Sequence, residues 1–366
     1  RRAPGGGGAS GPRVAGAGLQ AGASAGWADR LGPPRPCPRL PERSTNVPPM
    51  EIRTTASTSP VTDARLGEIL ANPGFGQHFS DHMLTVEWTP DAGWHDARIE
   101  PYGPLSLDPA TAVLHYAQEI FEGMKAYRHD DGSIWSFRPE ENAARMARSS
   151  RRLALPELDV PDFVEAVDEL GRVDQRWVPD PAGEKSLYIR PFMFASEAFL
   201  GVRPAHHVTF MVITSPAGAY FKGGVKPVTL WLTEEYTRAG RGGMGAAKTG
   251  GNYASSLVAQ QEATAHGCDQ VVFLDAQEGR YVEELGGMNM YFVYDDGRIV
   301  TPETGTILEG ITRASIIELA GKLGFTVEER RVDIDEWREG VTTGAIKEVF
   351  ACGTAAVVTP VGSLKW

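Results

Sequence analysis

The sequence predicts an α+β protein with two domains. Segments in which apolar and polar residues alternate, as in strands, are mixed along the chain with segments in which apolar residues recur at helical spacing. A proline- and glycine-rich stretch at 215–225, SPAGAYFKGGV, breaks this pattern and is typical of a linker. The chain has 366 residues, which is enough for one domain on each side of that linker.

Residues 1–60 differ in composition from the rest of the chain. Gly, Ala, Pro, Arg and Ser dominate there, and apolar residues do not recur periodically. Such a segment cannot bury enough apolar surface to offset the loss of chain entropy, so we expect a disordered leader. An Arg-rich, acid-poor leader is also compatible with a transit peptide. Because the chain opens on Arg1 and Met50 begins the string MEIRTTAS, we favour upstream sequence that is not normally translated.

The first domain is predicted to span residues 61–214. Helices are expected where proline, acidic or cap-forming residues precede helical spacing. The predicted helices are 61–71, 108–120, 139–153 and 161–177. The predicted strands are 82–89, 97–102, 122–128, 133–137, 186–195 and 207–213. Because Asp131-Gly132 is a hairpin signal, we expect a largely antiparallel sheet.

The second domain is predicted to span residues 226–366. A strand at 228–233 leads into a glycine-rich loop, and helices are expected at 252–266 and 312–323. Further strands are expected at 269–275, 291–294, 298–301, 326–332 and 347–352.

The composition argues against several classes of function. The net charge of −11 disfavours a nucleic-acid partner or an anionic membrane surface. No apolar run reaches the length that spans a membrane. The cysteines, Cys37, Cys268 and Cys352, form neither a disulfide framework nor a zinc-binding pattern. These features favour a cytoplasmic protein without a structural metal site.

One lysine, Lys248, lies among small residues in the string RGGMGAAKTGGNYASSL, which begins at Arg241. The glycines at 242, 243, 245, 250 and 251 are expected to leave room for a bulky group against the backbone. Asn252 is predicted to cap the helix that follows. An amine in such a loop can attack an aldehyde, as a Schiff-base lysine that carries pyridoxal phosphate does. A lone lysine in a glycine-rich loop is more often only solvated, so the interpretation depends on the rest of the chain.

A nucleotide-binding phosphate loop of the type GxxxxGK[ST] is the competing interpretation. Residues 242–249 nearly fit, but Ala247 occupies the place of the last glycine. Such a loop needs a strand directly before it and a helix directly after Lys-Thr. The predicted strand ends too early and Gly250-Gly251 delay the helix, so a nucleotide hydrolase is the less favoured alternative.

Five strings together resemble the branched-chain aminotransferases, which are fold-type IV pyridoxal-phosphate enzymes. They are FEGMKAYR, SLYIRPF, AAKTGGNYASSL, EELGGMNMYFV and LEGITRASI, and they occur in the family's order between residues 75 and 366. The resemblance implies a small α/β sandwich domain followed by a larger pseudo-barrel domain that binds the cofactor. Family members usually continue for several more strands and a helix, so we expect a chain truncated at its C-terminus.

The resemblance implies a site for pyridoxal 5′-phosphate centred on Lys248. Tyr253 matches the tyrosine that hydrogen-bonds the phenolic oxygen of the cofactor. Glu284 matches the carboxylate that keeps the pyridine nitrogen protonated, so that the ring can accept electrons. From the residues alone, Glu283 would be an equally good choice, and we expect it to be a solvated residue at a strand end.

The resemblance also implies a phosphate site. Ile311 and Thr312 begin a predicted helix, where free backbone N–H groups and the helix dipole favour an anion. Thr354 matches a second hydroxyl donor, and Arg145 matches the family's phosphate-binding arginine. Without the family pattern, three other arginines on the same predicted helix would fit as well. These are Arg148, Arg151 and Arg152.

A substrate pocket follows from the same resemblance. Its apolar and aromatic wall is expected to contain Phe75, Tyr116, Phe121, Tyr188 and Tyr220. Leu200 and Val202 match positions near the partner's site, so a homodimer is implied. Arg190 lies two residues after Tyr188, on the same side of the strand, and matches the residue that receives the second carboxylate of glutamate. The backbone N–H groups of Thr354 and Ala355 match the site for the substrate's own carboxylate. Some family members carry a redox pair of cysteines here, and Ala356 and Thr359 stand in their place.

The predicted activity is amino transfer between leucine, isoleucine or valine and 2-oxoglutarate by a ping-pong mechanism. Within the same fold type, a D-amino acid aminotransferase or an aminodeoxychorismate lyase remains an alternative. A binding protein that has lost its activity is a further alternative, but the intact set of Lys248, Tyr253 and Glu284 argues against it.

Overall fold

The structure, a computed structural model, describes residues 50–218 and 226–366. Its strands form two sheets, one in each of these ranges, and we call the ranges the first and the second domain. Most of the predicted leader, most of the predicted linker and Tyr220 of the predicted pocket lie outside the described residues.

The first domain is built on an eight-stranded sheet. Its strands are β1 (Arg53–Thr54), β2 (His82–Thr89), β3 (Gly93–Pro101), β4 (Glu119–Phe121), β5 (Met124–Arg128), β6 (Ile134–Ser136), β7 (Ser186–Ala195) and β8 (Val208–Ala217). They lie in the order β1-β3-β2-β8-β7-β5-β6, and β4 also pairs with β7. In this domain only the short pair of β1 with β3 is parallel, so the expected antiparallel sheet is confirmed.

Helices cover one face of this sheet. They are α1 (Asp63–Ala71), α2 (Ala112–Tyr116), α3 (Pro139–Leu153) and α4 (Val160–Val173), followed by a single 3-10 turn at Gln175–Trp177. Pro139 and two acidic residues begin α3, as the sequence predicts. The core between the sheet and the helices contains buried Leu84, Phe163, Leu170 and Phe210.

Three segments of the first domain differ from the prediction. Residues 108–120 form the short α2 and then β4, because Ala117 takes a left-handed conformation with φ of 49° and ends the helix. β8 continues to Ala217, three residues into the predicted linker, because it stays paired with β7. Arg53–Thr54, within the predicted leader, pairs with β3.

The second domain contains a nine-stranded sheet. Its strands are β9 (Val228–Leu232), β10 (Gln270–Leu274), β11 (Tyr281–Leu285), β12 (Asn289–Tyr294), β13 (Arg298–Thr301), β14 (Thr326–Glu329), β15 (Val332–Asp333), β16 (Ile346–Gly353) and β17 (Val357–Lys365). They lie in the order β14-β13-β12-β16-β17-β9-β10-β11-β15. The helices are α5 (Gly250–Ala254), α6 (Leu257–Ala265), α7 (Ile311–Lys322) and α8 (Ile334–Thr343).

The helix predicted at 252–266 begins earlier and is interrupted. The Ser255 and Ser256 hydroxyls donate to the carbonyls of Asn252 and Tyr253, and this local bonding competes with a continuous helix. Asn252 therefore lies inside α5 and does not cap it, which corrects the prediction, and Thr249 holds the cap position. The sequence also failed to indicate β11, β17 and α8. They are a short acidic strand, a strand with Pro and Gly, and a helix with weak helix formers.

The alternation of β7 determines where a site can form. Leu187, Ile189 and Met193 point into the helix-covered core, whereas Tyr188 and Arg190 are half-buried on the opposite face. The shared face expected for Tyr188 and Arg190 is therefore confirmed, and it is turned towards the second domain. Among the helices in the described parts of the chain, none is long and apolar enough to cross a membrane.

Candidate active site

Lys248 lies in the loop between β9 and α5, as predicted. Its Nζ donates a 2.7 Å hydrogen bond to the hydroxyl of Tyr253, five residues later. The same Nζ lies 4.7 Å from the ring centroid of Phe121, which belongs to the first domain. The amine is therefore at the boundary between the domains. The expectation that Gly250-Gly251 delay the helix is wrong, because α5 begins directly after Thr249. β9 nevertheless ends at Leu232, so the strand that a phosphate loop needs directly before it is absent from this described region.

Four of the five glycines around Lys248 face other atoms of the protein, so the expectation that they leave room for a bulky group is wrong at these positions. A Cβ atom on Gly245 would overlap the carbonyl oxygen of Thr306, so glycine is needed for the loop to pack on that segment. The Asn252 amide donates 2.8 Å hydrogen bonds to the carbonyls of Met244 and Ala247. The loop that carries Lys248 is thus tightly packed against the protein itself.

Glu284 is fully buried on β11. Burial raises the pKa of Glu284 to about 7, although the charge of Arg238 opposes this rise. Arg238 forms an ion pair with Oε1, and the Leu308 N–H donates to the same oxygen at 3.0 Å. Asn289 approaches Oε2 at 3.4 Å. These contacts hold the carboxylate in one orientation. The charge of Lys248 also interacts with it and acts to lower its pKa.

Glu283 and Glu284 point to opposite faces of β11. Glu283 accepts a hydrogen bond from the Thr306 hydroxyl. The expectation that Glu283 is solvated is wrong, because it is also buried, and burial raises its pKa. Strand alternation thus separates the two carboxylates, and it places Glu284 on the side of Lys248.

Arg145 and the start of α7 meet at the domain boundary. The Arg145 guanidinium is buried, donates to Glu122 at 2.8 and 2.7 Å, and donates to the carbonyl of Glu309 at 3.1 Å. Ile311 and Thr312 begin α7 directly after this segment, so free helical N–H groups lie near a buried cation. Arg148 and Arg151 pair with glutamates at the surface, and the exposed Arg152 donates to the carbonyls of Gly242 and Gly243. These differences favour Arg145 among the four candidates.

Thr354 and Ala355 lie in the turn between β16 and β17. The pairing of Asn289 with Cys352 places this turn beside residues 286–288, which follow Glu284. The Ala355 carbonyl accepts a 2.9 Å hydrogen bond from Nζ of Lys125, on β5 of the first domain. Burial lowers the pKa of Lys125.

Four of the predicted pocket residues form a continuous wall next to Lys248. The rings of Phe75 and Tyr188 are 5.1 Å apart, and Nη2 of Arg190 donates to the Tyr188 hydroxyl at 2.8 Å. The Arg190 guanidinium lies 4.6 Å from the centroid of Phe121, whose ring is 5.0 Å from that of Tyr253. An aromatic surface with one cation therefore leads up to the amine.

Tyr116, Leu200 and Val202 lie elsewhere in the first domain. Tyr116 donates its hydroxyl hydrogen to the carbonyl of Leu200. Leu200 and Val202 are 65% and 88% exposed. Together these residues form an exposed face of the first domain.

The sequence reasoning missed several residues that surround Lys248 and Glu284. They are Glu119, Glu122, Lys125, Ser149 and Arg238. Each contacts a residue that is distant in the chain, and no local pattern marks such residues. A signal is available only for Glu122 and Lys125, which lie inside the family string FEGMKAYR, whereas Glu119, Ser149 and Arg238 lie outside all five strings.

The residues present fit pyridoxal 5′-phosphate. A buried carboxylate suits a protonated pyridine nitrogen, and a buried arginine beside a helix N-terminus suits a phosphate. Nε and Nη1 of Arg238 are buried without a hydrogen-bond partner among the described residues, so this end of the site has spare donor capacity.

Comparison with known proteins decides the family. The model of the amino-transferase class IV family matches residues 119–364, which is more than half of the chain. The chain belongs to the class IV aminotransferases.

This aminotransferase is similar to named relatives over most of its length. It is 60% identical over 320 residues to a probable branched-chain-amino-acid aminotransferase of Streptomyces coelicolor, covering 87% of this chain and 88% of that one. The crystal structure of the branched-chain aminotransferase from Thermoproteus uzoniensis with norvaline has a TM-score of 0.65 at 27% identity, covering 78% and 88% of the chains. The PLP form of the enzyme from Thermobaculum terrenum has a TM-score of 0.63 at 26% identity, covering 79% and 87%.

These similarities confirm the predicted family, the fold-type IV architecture and the transaminase activity on branched-chain amino acids. They also confirm pyridoxal phosphate as the cofactor of this aminotransferase. They favour the main prediction over the other fold-type IV enzymes and over the nucleotide hydrolase. The residue assignments and the dimer remain proposals.

Proposed function

We propose that this aminotransferase uses Lys248 as its catalytic amine and moves an amino group between leucine, isoleucine or valine and 2-oxoglutarate. One observation supports this most strongly: Lys248 Nζ is hydrogen-bonded to the Tyr253 hydroxyl at the domain boundary, and its charge interacts with the buried Glu284 carboxylate. An amine, a hydroxyl and a buried carboxyl with a raised pKa are the kinds of group that acid–base chemistry requires.

The bound cofactor supplies an aldehyde that attaches to an amine and a conjugated ring that accepts an electron pair from the substrate Cα. Lys248 Nζ would be the amine that holds the cofactor, and, once the substrate amine has taken its place, it would carry the proton from the substrate Cα to the cofactor carbon that bears the amino group. The Tyr253 hydroxyl, 2.7 Å from Nζ, orients that amine. Glu284 keeps a proton on the ring nitrogen, because a carboxylate held in a buried site favours a nearby positive charge.

The phosphate binds at the start of α7. Arg145 supplies a charge held in place by Glu122, and the N–H groups of Ile311 and Thr312 supply hydrogen bonds. The Thr354 hydroxyl completes this site from the turn after β16.

One pocket receives both an aliphatic side chain and a γ-carboxylate. Phe75, Phe121 and Tyr188 provide apolar surface for leucine, isoleucine or valine. Arg190 provides a cation for 2-oxoglutarate or glutamate, and it can turn towards solvent-facing space when the side chain is apolar. The N–H groups of Thr354 and Ala355 bind the carboxylate that both substrates share.

The working form is a homodimer in the cytoplasm. The exposed face that contains Tyr116, Leu200 and Val202 is the surface we assign to the second copy, because such apolar side chains are otherwise left in water. Cys268 and Cys352 are free buried thiols, which fit a reducing compartment.

Borohydride reduction of the cofactor-loaded protein, followed by peptide mapping, tests the assignment of Lys248. The label is expected on Lys248 and the visible absorption of the bound cofactor is expected to disappear in Lys248→Ala. Lys322→Ala, which removes a surface lysine paired with Glu318, is the control and should keep both. A label on another lysine would refute the proposal. Turnover of D-leucine but not L-leucine would favour a D-amino acid aminotransferase.

A further inference from the structure

The backbone of Lys248 is held on both sides by residues of the first domain. Its N–H donates a 3.0 Å hydrogen bond to the hydroxyl of Ser149 on α3. Its carbonyl accepts a 2.9 Å hydrogen bond from the N–H of Phe121 on β4. The lysine itself belongs to the second domain, so its main chain is fixed across the domain boundary.

The two residues after Lys248 are held by one carboxylate of the first domain. Oε1 of Glu119 accepts a hydrogen bond from the Gly250 N–H and a 3.3 Å hydrogen bond from the Thr249 hydroxyl. A Cβ atom on Gly250 would lie 2.5 Å from the same oxygen, so the glycine permits this close approach. Thr249 is fully buried, so water does not reach its hydroxyl.

One stripe of α3 faces the second domain. It consists of Arg145, Ser149 and Arg152, which are spaced at i, i+4 and i+7. Arg145 donates to the carbonyl of Glu309, and the Ser149 hydroxyl accepts from the N–H of Lys248. Arg152 donates to the carbonyls of Gly242 and Gly243. An α-helix is a rigid spacer with a rise of about 1.5 Å per residue. The helix therefore fixes the distance between the arginine assigned to the phosphate and the backbone of the lysine.

Ser150 provides a contrast on the same helix. It is as buried as Ser149, but its hydroxyl points to the sulfur of Met193 in the core of the first domain, at 3.9 Å. Two adjacent serines thus have different environments, and only Ser149 contacts the lysine loop.

We propose that Ser149 and Glu119 are positioning residues that hold the main chain of Lys248 where its Nζ can reach the substrate. This inference rests on the proposed function of Lys248. Neither residue is assigned to the binding of substrate or cofactor, and both act through the lysine segment.

Removal of the Ser149 hydroxyl leaves the N–H of Lys248, which lies between the buried residues Ala247 and Thr249, without its partner. A buried donor without a partner is unfavourable, so the loop will sample conformations in which that N–H meets water. The groups that bind the substrate are unchanged in this variant. We therefore expect kcat to fall and KM to change little.

Hydrogen exchange of the full-length protein, without added cofactor, tests the contact independently of catalysis. In Ser149→Ala, exchange of the amides at 247–250 should accelerate by about ten-fold or more, because a protecting hydrogen bond is lost. Ser150→Ala is the matched control and should leave these amides protected. Equal protection in the two variants would overturn the proposal, even if both are less stable than the parent.

Kinetics and spectroscopy of the loaded enzyme test the consequence. We expect Ser149→Ala and Glu119→Ala each to lower kcat by roughly 10- to 100-fold, the usual effect of a misplaced catalytic group, and to shift the pH at which the visible absorption of the bound cofactor titrates. Glu119→Gln keeps an acceptor oxygen and should recover most of the activity. Lost protection with unchanged kcat and an unchanged titration would overturn the positioning role. A borohydride label on a lysine other than Lys248 would refute the proposed function instead, and the exchange result would still decide the contact.

Discussion

Arg238 and Glu284 form an ion pair that is buried behind Lys248. The arginine also donates a 3.3 Å hydrogen bond to the carbonyl of Gly245, in the loop that carries the lysine. The pair therefore links the carboxylate assigned to the cofactor ring with the segment that holds the amine. The positive charge of Arg238 also limits the pKa of Glu284, because it opposes the rise that burial causes.

Glu284→Gln tests the role of the carboxylate. A neutral amide cannot hold a proton on the ring nitrogen, so we expect transamination to fall on the order of 10² or more, as for other positioned acid–base partners. Glu283→Gln, on the opposite face of the same strand, is the control and should retain most of the activity. Steady-state kinetics with leucine and 2-oxoglutarate provide the measurement. Similar losses of activity in the two variants would show that the activity depends on the intact structure of β11 and not on the charge of Glu284.

The stability of the cofactor-free protein should depend on the protonation of Glu284. Its pKa is about 7 in the folded protein and has an ordinary value of 4.5. Between these values the folded state holds a proton that the unfolded state has released, so the contribution of Glu284 to stability is greatest below about pH 4.5 and is lost as the pH rises to about 7. Across this pH range, the titration of this one group lowers the free energy of unfolding by about 3 kcal/mol.

Thermal or urea unfolding between pH 5 and 7.5 measures this effect. Burial also raises the pKa of Glu119 and of Glu283, so a slope of the same sign should persist in Glu284→Gln, but it should be clearly smaller. An identical slope in the parent and in the variant would contradict the assignment of the shift to Glu284.

The sequence predicted the elements that carry strong local signals. α3 and β7 have the predicted bounds, since proline with acidic residues marks the start of the helix and apolar residues define the strand. The family strings indicated Lys248, Tyr253 and Glu284, and the structure brings these three together. The ion pair with Arg238 and the contacts of Ser149 and Glu119 join segments that are distant in the chain. Local patterns contain no information on such pairs, and the bulk of β4 was assigned to a helix for the same reason.

Removal of the leader tests the expectation that residues 1–49 do not contribute to the fold. A chain that begins at Met50 keeps the pairing of Arg53–Thr54 with β3 and the hydrogen bond from the Ser57 N–H to His82 Nε2. We expect its melting temperature and its activity to equal those of the full chain. A chain that begins at residue 61 loses these contacts and should melt at a lower temperature. A fall in stability already on removal of 1–49 would refute the expectation.

The exposed face of the first domain should mediate dimerisation. Leu200→Asp places a charge at the centre of this face, next to the Tyr116 hydroxyl, and should shift the protein towards monomer because burying an unpaired charge is unfavourable. Leu319→Asp, at an exposed position on α7, is the control and should leave the oligomer unchanged. Light scattering after size-exclusion chromatography measures the mass. A parent protein that is monomeric at all concentrations would exclude the proposed dimer.

Arg190 tests how one pocket accepts two kinds of side chain. Leucine is apolar at its far end, whereas glutamate carries a charge there, and burying that charge without a partner would cost several kcal/mol. The Arg190 guanidinium lies on the pocket side of β7, with a hydrogen bond to Tyr188 and a position over the Phe121 ring. Its Nε is buried without a hydrogen-bond partner among the described residues, so the group retains donor capacity.

For Arg190→Ala, we expect kcat/KM for glutamate and 2-oxoglutarate to fall by roughly 10²-fold, about the loss of a charge-assisted hydrogen bond. The value for leucine should change far less, because its side chain needs only the aromatic surface. Arg128→Ala is the control, since Arg128 donates to backbone carbonyls of Gln175 and Val178 within the first domain and should affect both substrates equally through stability. Single-turnover measurements of each half-reaction separate the two effects. Equal losses of kcat/KM for leucine and glutamate in Arg190→Ala, accompanied by a lower melting temperature, would mean that Arg190 only stabilises the fold. The γ-carboxylates of glutamate and 2-oxoglutarate would then need a different partner.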